Sequence, residues 1–126
     1  MKFYELDLNG QTIKLRLKSA DSVVIEKKTG VKLLDFIQDY SITAIITMLT
    51  YLRRSDVPNF SEKDAYDLYD ELVDNGYTLE KIMYDVIFEA LVVSGFLAKE
   101  QLEEMKVAKE EAKEKKKQEM LKDLQK

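Results

Sequence analysis

Apolar and polar residues alternate with a period of two over residues 2–8 and again over 11–17, and Asn9-Gly10 sits between the two runs. That dipeptide tolerates positive φ at both central positions of a type I′ turn, so the stretch predicts a β-hairpin. The turn also sets the register. Leu6 falls opposite Ile13 and Tyr4 opposite Leu15 on one side, while Glu5 faces Lys14 and Phe3 faces Arg16 on the other. The first pairs are apolar; the second offer a salt bridge and a cation–π contact. A slip of one residue would destroy both patterns. A lone hairpin is marginal, so its Tyr4/Leu6/Ile13/Leu15/Leu17 face is expected to lie on something.

After the hairpin the apolar period lengthens to three and four. Ser19 or Asp21 is placed to cap a helix ending at Gly30, with Ala20, Val23 and Val24 as its core contacts. Val31 to Gln38 adds a short helix carrying Leu33, Leu34, Phe36 and Ile37. Ser41 then caps a run with Ile42, Ile45, Ile46, Leu49 and Leu52. Its Ile and Thr content suits a strand, but the spacing favours helix. Residues 53–59, with the only Pro, read as a loop. Ser61 caps the next helix with Asp64 at the third position, and Ala65, Leu68, Tyr69, Leu72 and Val73 form its stripe up to Gly76. Thr78 caps a helix whose apolar face is wide (Leu79, Ile82, Met83, Val86, Ile87, Ala90, Leu91, with Tyr84, Phe88 and Val92 beside it), the pattern of a central buried helix. Ser94-Gly95 breaks it.

Near Lys99 the chain changes character. Residues 99–126 hold nine Lys and eight Asp or Glu, against 20 basic and 24 acidic residues in all, so the body carries −5 and the tail +1. The tail is made of strong helix formers, with Glu111–Lys115, Glu110–Lys113 and Glu114–Lys117 spaced for intrahelical pairs. It has no continuous heptad seam, which argues against a permanent coiled coil. Leu102 and Met105 are placed to continue packing on the body, and Met120, Leu121 and Leu124 make a small apolar patch at the far end. The expected architecture is α+β, mainly α. An N-terminal β-hairpin packs on a bundle of about five helices within residues 1–98, followed by a charged, helical or partly disordered tail over 99–126.

Composition narrows the chemistry. With no Cys and no His among 126 residues, disulfides, thiol nucleophiles, zinc sites of Cys and His, and His general bases are all excluded. The net charge of −4 argues against nucleic acid as a partner. No stretch has the roughly 18 uncharged apolar residues of a membrane span, and no apolar secretory leader is seen. No Gly-rich phosphate loop or nucleophile elbow is present, so no cofactor is expected. Two acidic groups, Asp67/Asp70/Glu71/Asp74 and Glu80/Asp85/Glu89, could serve a hydrolase or a cation, but solvated helix faces are the ordinary reading. Lys27-Lys28 and Lys115-Lys116-Lys117 are basic clusters set among acids.

One segment is more specific. Ser19 to Ile37, and Val24 to Ile37 most closely, reads hydrophobic-Glu26-Lys27-Lys28-x-Gly30-x-x-Leu33-hydrophobic-Asp35 directly after the hairpin. This resembles the opening of tail assembly chaperones from long-tailed bacteriophages of Gram-positive hosts, loosely over residues 2–97. The resemblance implies a non-enzymatic protein that coats the tape-measure protein and keeps it soluble until tail-tube protein assembles around it, in the cytoplasm of the bacterial host. It implies oligomers as well, and it carries over no catalytic residues. The exposed strand edges of the hairpin also favour self-association. Apolar residues that the helices cannot all bury are the expected partner-binding set: Tyr66, Tyr69, Phe96, Leu97, Leu102 and Met105. The alternative is a small cytoplasmic adaptor or regulatory protein that binds its partner through the C-terminal helix.

Overall fold

The computed structural model describes residues 1–38 and 41–124. The hairpin forms as expected: β1 (Tyr4–Leu8) and β2 (Gln11–Leu15) pair antiparallel with Tyr4 on Leu15, Glu5 on Lys14 and Leu6 on Ile13. Asn9 and Gly10 take φ of 51° and 78°, the two positive values the turn demands. Leu6, Leu8, Ile13, Leu15 and Leu17 are buried. On the outer face the details differ from the simple pairing. The Lys14 ammonium lies over the Phe3 ring at 5.8 Å, and Arg16 instead donates to the Lys2 carbonyl.

Helices close over the apolar face: α1 (Ser19–Thr29), α2 (Leu33–Phe36), α3 (Ile42–Arg54), α4 (Glu62–Asp74), α5 (Leu79–Ile82), α6 (Phe88–Val93) and α7 (Lys99–Leu124). A π-helical turn, Met83–Ile87, joins α5 to α6, so these three pieces are one rod and the body has the five expected helical rods. Positions 125 and 126, the end of the expected tail helix, lie outside the described residues.

The hairpin is fixed to the bundle at several points. The Arg16 amide donates to the Leu52 carbonyl at the end of α3, and Arg53 reaches the Lys14 carbonyl, so part of the outer edge of β2 is already occupied. The Leu17 amide donates to Ser94 Oγ at the end of α6, and Asn9 to Glu71 of α4.

Local signals placed the helix starts well. Ser41 accepts from the Ala44 amide, Thr78 from the Lys81 amide, and Ser61 with Asp64 forms a reciprocal capping box. α1 is the exception. Its N-cap is Lys18, without a side-chain cap bond, so neither Ser19 nor Asp21 caps it. Its buried residues are Ser22 and Ile25, whereas Val23 and Val24 are 46% and 45% exposed and Ala20 is exposed too. The α1 sequence has no dominant apolar stripe, so the neighbours decide which side faces in. They accept the Ser22/Ile25/Thr29 side, whose hydroxyls bond back to the Ser19 and Ile25 carbonyls.

Candidate functional site

The segment Val24 to Ile37 owes its pattern to a tight helix–turn–helix. Gly30 takes φ of 75° at the end of α1, a left-handed conformation that penalises any side chain with a Cβ. Glu26 Oε2 accepts from the Leu33 amide at 2.9 Å and so caps α2 from the preceding helix. One turn of helix cannot turn four large apolar residues inward. Leu33 and Ile37 are buried, Phe36 is half-buried and Leu34 faces out.

Leu34 stands between two hollows. On one side it joins Ile37, Gln38, Leu97, Gln101, Glu104, Met105 and Ala108 around a cavity of about 370 Å³ between α2 and α7. On the other it joins Ser22, Glu26, Lys32, Leu33, Asp35 and Phe96 around a cavity of about 390 Å³. Of the residues expected to meet a partner, Leu97 and Met105 therefore line the first hollow and Phe96 the second. Leu102 is buried at 2% exposure and anchors α7 on the core. Tyr66 is exposed on α4 and Tyr69 is packed partly against the core, neither of them lining these hollows. Leu34, Glu104 and Ala108 were missed as surface residues. The one available signal was that α2 is too short to bury everything apolar in it.

Apolar packing of Leu102 and Met105 on the core is joined by ion pairs between α7 and the body. Lys106 contacts Glu89 at 2.8 Å and Asp85 at 3.8 Å, while Lys109 and Lys113 contact Glu80 at 3.5 and 3.4 Å. Lys109 also lies over the Tyr84 ring at 4.3 Å. The acidic group Glu80/Asp85/Glu89 is thus the anchor of α7. Residues nine apart on a regular α-helix, as Glu80 and Glu89 are, point about 180° away from each other, but the π turn between them absorbs one residue and brings them to about 80°. Lys113 is drawn to Glu80 and not to Glu110, and none of the expected intrahelical pairs of the tail is an ion pair among the described residues.

The other acidic group has no such focus. Asp67, Asp70 and Asp74 are exposed, and Glu71 is engaged by Asn9. Among the described residues no three acidic, His or Cys side chains converge to hold a metal ion, and no helix is long and apolar enough to cross a membrane. Among the described residues, two groups have clearly shifted titration. Burial, then the charge of Glu89, raises the Tyr4 phenol, and the Ser61 amide, then its hydroxyl, lowers the Asp64 carboxyl. Both shifts follow from contacts that hold elements together. What the surface offers is apolar lining interrupted by carboxylates, suited to apolar side chains from another molecule. No known family model, curated protein or solved structure matches this chain.

Proposed function

We propose that this protein is a non-enzymatic tail assembly chaperone of a long-tailed bacteriophage, acting in the cytoplasm of the bacterial host. It binds the tape-measure protein and shields its apolar helical surface until tail-tube protein assembles around it. One observation carries the reading. The segment that resembles this family leaves Val23, Val24, Val31 and Leu34 exposed, where the sequence alone had Val23, Val24 and Leu34 helping to build the core. Exposed aliphatic residues on α1, the following turn and α2 are what a holdase needs toward a helical client. Weak contacts of this kind gain strength when many copies line one long chain. The charged exterior keeps such a coat in solution.

Co-expression with the tape-measure protein tests this. Wild-type chaperone is expected to move that client into the soluble fraction, and a V24D/L34D variant, changed only at exposed positions, to leave it insoluble. A client whose solubility is the same with wild type, with the variant and without either would overturn the proposal.

The adaptor reading is favoured by a different observation, the exposure of Met120, Leu121 and Leu124 at the end of α7. A chain ending after Gln118 keeps the packed turns of α7. If it loses its partner while V24D/L34D keeps it, the adaptor reading holds and the chaperone reading fails.

A further inference from the structure

We propose that the trough beside α2 and α7 binds an amphipathic helix of another protein whose apolar stripe is flanked by lysine or arginine, and that it turns away the same helix with acidic flanks. The inference does not rest on the chaperone reading, whose surface is the row of exposed aliphatic residues on α1, the following turn and α2.

The floor of the trough is apolar. The cavity of about 370 Å³ between α2 and α7 is walled by Leu34, Leu97, Met105 and Ala108. Past Glu104 and Ala108 it opens onto the outer side of α7, where a shallower hollow of about 380 Å³ borders Val107. Leu34 is 43% and Val107 57% exposed, so aliphatic surface remains to be covered on both sides of the opening.

The rim is acidic. Glu104 borders both hollows, and Glu100, Glu103 and Glu111 border the second. All four are exposed, and none is ion-paired among the described residues. No lysine or arginine among the described residues lines either hollow. At about 100° per residue, Lys106, Lys109 and Lys113 point to the other side of α7, toward the body, so they do not neutralise this rim.

The spacing of the carboxylates suits a helix. Glu104 follows Glu100 by four residues and Glu111 follows Glu104 by seven, about 6 and 10.5 Å along α7. A partner helix lying along the trough repeats its own side at the same two steps, so basic residues four and seven apart meet all three carboxylates. An extended segment repeats a side only about every 6.7 Å and misses the longer step. Apolar residues of the partner then enter beside Leu34, Met105 and Val107. Their burial supplies affinity, and the carboxylates set register and exclude acidic flanks.

The test measures binding of fluorescent synthetic peptides to the full chain by anisotropy. The basic probe is a helix of about eighteen residues with leucines three and four apart and lysines beside them. A second probe has glutamate at each lysine, and a third keeps the lysines but scatters the leucines around the helix. The basic probe is expected to bind at least about tenfold more tightly than either, and less tightly as salt rises. Glu103→Gln combined with Glu104→Gln weakens it and flattens its salt dependence. Ala108→Glu, at an exposed position, separates the trough from diffuse attraction. It adds a negative charge, so binding tightens if charge alone attracts the probe and weakens, as expected, if the new side chain fills the apolar floor. Circular dichroism establishes that the variants are folded, and the comparison of probes on wild type needs no variant. Equal binding of the basic probe and either control, or tighter binding by Ala108→Glu, would overturn the proposal. So would a preference for a peptide copying residues 112–124 of this chain, which gives the trough to a second copy. None of these outcomes involves the exposed valines of α1, so the chaperone reading stands or falls separately on co-expression.

Discussion

The Tyr4 hydroxyl donates to the main-chain carbonyl of Asp85 at 2.9 Å, joining the first strand to the π-helical turn 81 residues later. A π turn disturbs the regular backbone bonding of the rod, and the phenol adds a side-chain donor to a carbonyl inside that turn. The same ring packs partly against the core, next to the acidic row that anchors α7.

Tyr4→Phe keeps the ring and removes the bond. It is expected to cost about 0.5–1.5 kcal/mol of stability by denaturant unfolding. Because burial and the nearby Glu89 raise the Tyr4 pKa, the unfolded chain ionises first as pH rises. The stabilisation is complete below the ordinary tyrosine range and fades as pH climbs through it and above. A spectrophotometric alkaline titration should lose a late-titrating phenol on going from wild type to the variant. Unchanged stability together with an unchanged titration would remove this bond from the account of the fold.

The inward face of α1 can be read by paired substitutions. Ile25→Ala empties a fully buried site and is expected to cost about 2–5 kcal/mol, while Val24→Ala stays within about 0.5 kcal/mol. Equal losses at the two positions would mean that α1 sits with its valines in the core.

The start of α4 depends on a capping box. Ser61→Ala is expected to lower stability by about 1 kcal/mol in thermal melts at neutral pH. The Asp64 carboxyl is held below its ordinary range by the Ser61 amide and hydroxyl. Its contribution is therefore present above the ordinary carboxylate range and disappears as pH falls through the lowered value. Wild type and Asp64→Asn should differ at neutral pH and converge in strong acid. A difference that persists there would assign the effect to something other than the charge.

The first half of α7 should be sensitive to salt. Lys106→Met removes contacts to Glu89 and Asp85, and since all three side chains are partly exposed the loss is about 0.2–1 kcal/mol. Amide hydrogen exchange between Leu102 and Lys113 is expected to speed up in the variant, and in wild type at high salt, while the exposed end past Lys117 stays as it was. Exchange that ignores both changes would show that Leu102 and Met105 alone hold the helix.

Sequence alone determined the elements whose energetics are local. Asn9-Gly10 with alternating neighbours specifies the hairpin and its register, because backbone conformation and adjacent side chains settle the matter within about fifteen residues. Ser41, Ser61 and Thr78 likewise specify helix starts, each through one bond to an amide three residues on. Tertiary structure alone decided which face of α1 is buried, that the long rod carries a π turn, and that Glu80, Asp85 and Glu89 serve the lysines of α7. It decided as well that Leu34, on a helix of one turn, opens onto a trough. These outcomes share a cause: a weakly amphipathic helix has several faces of nearly equal free energy, and the choice among them falls to the neighbours that happen to fill the space beside it.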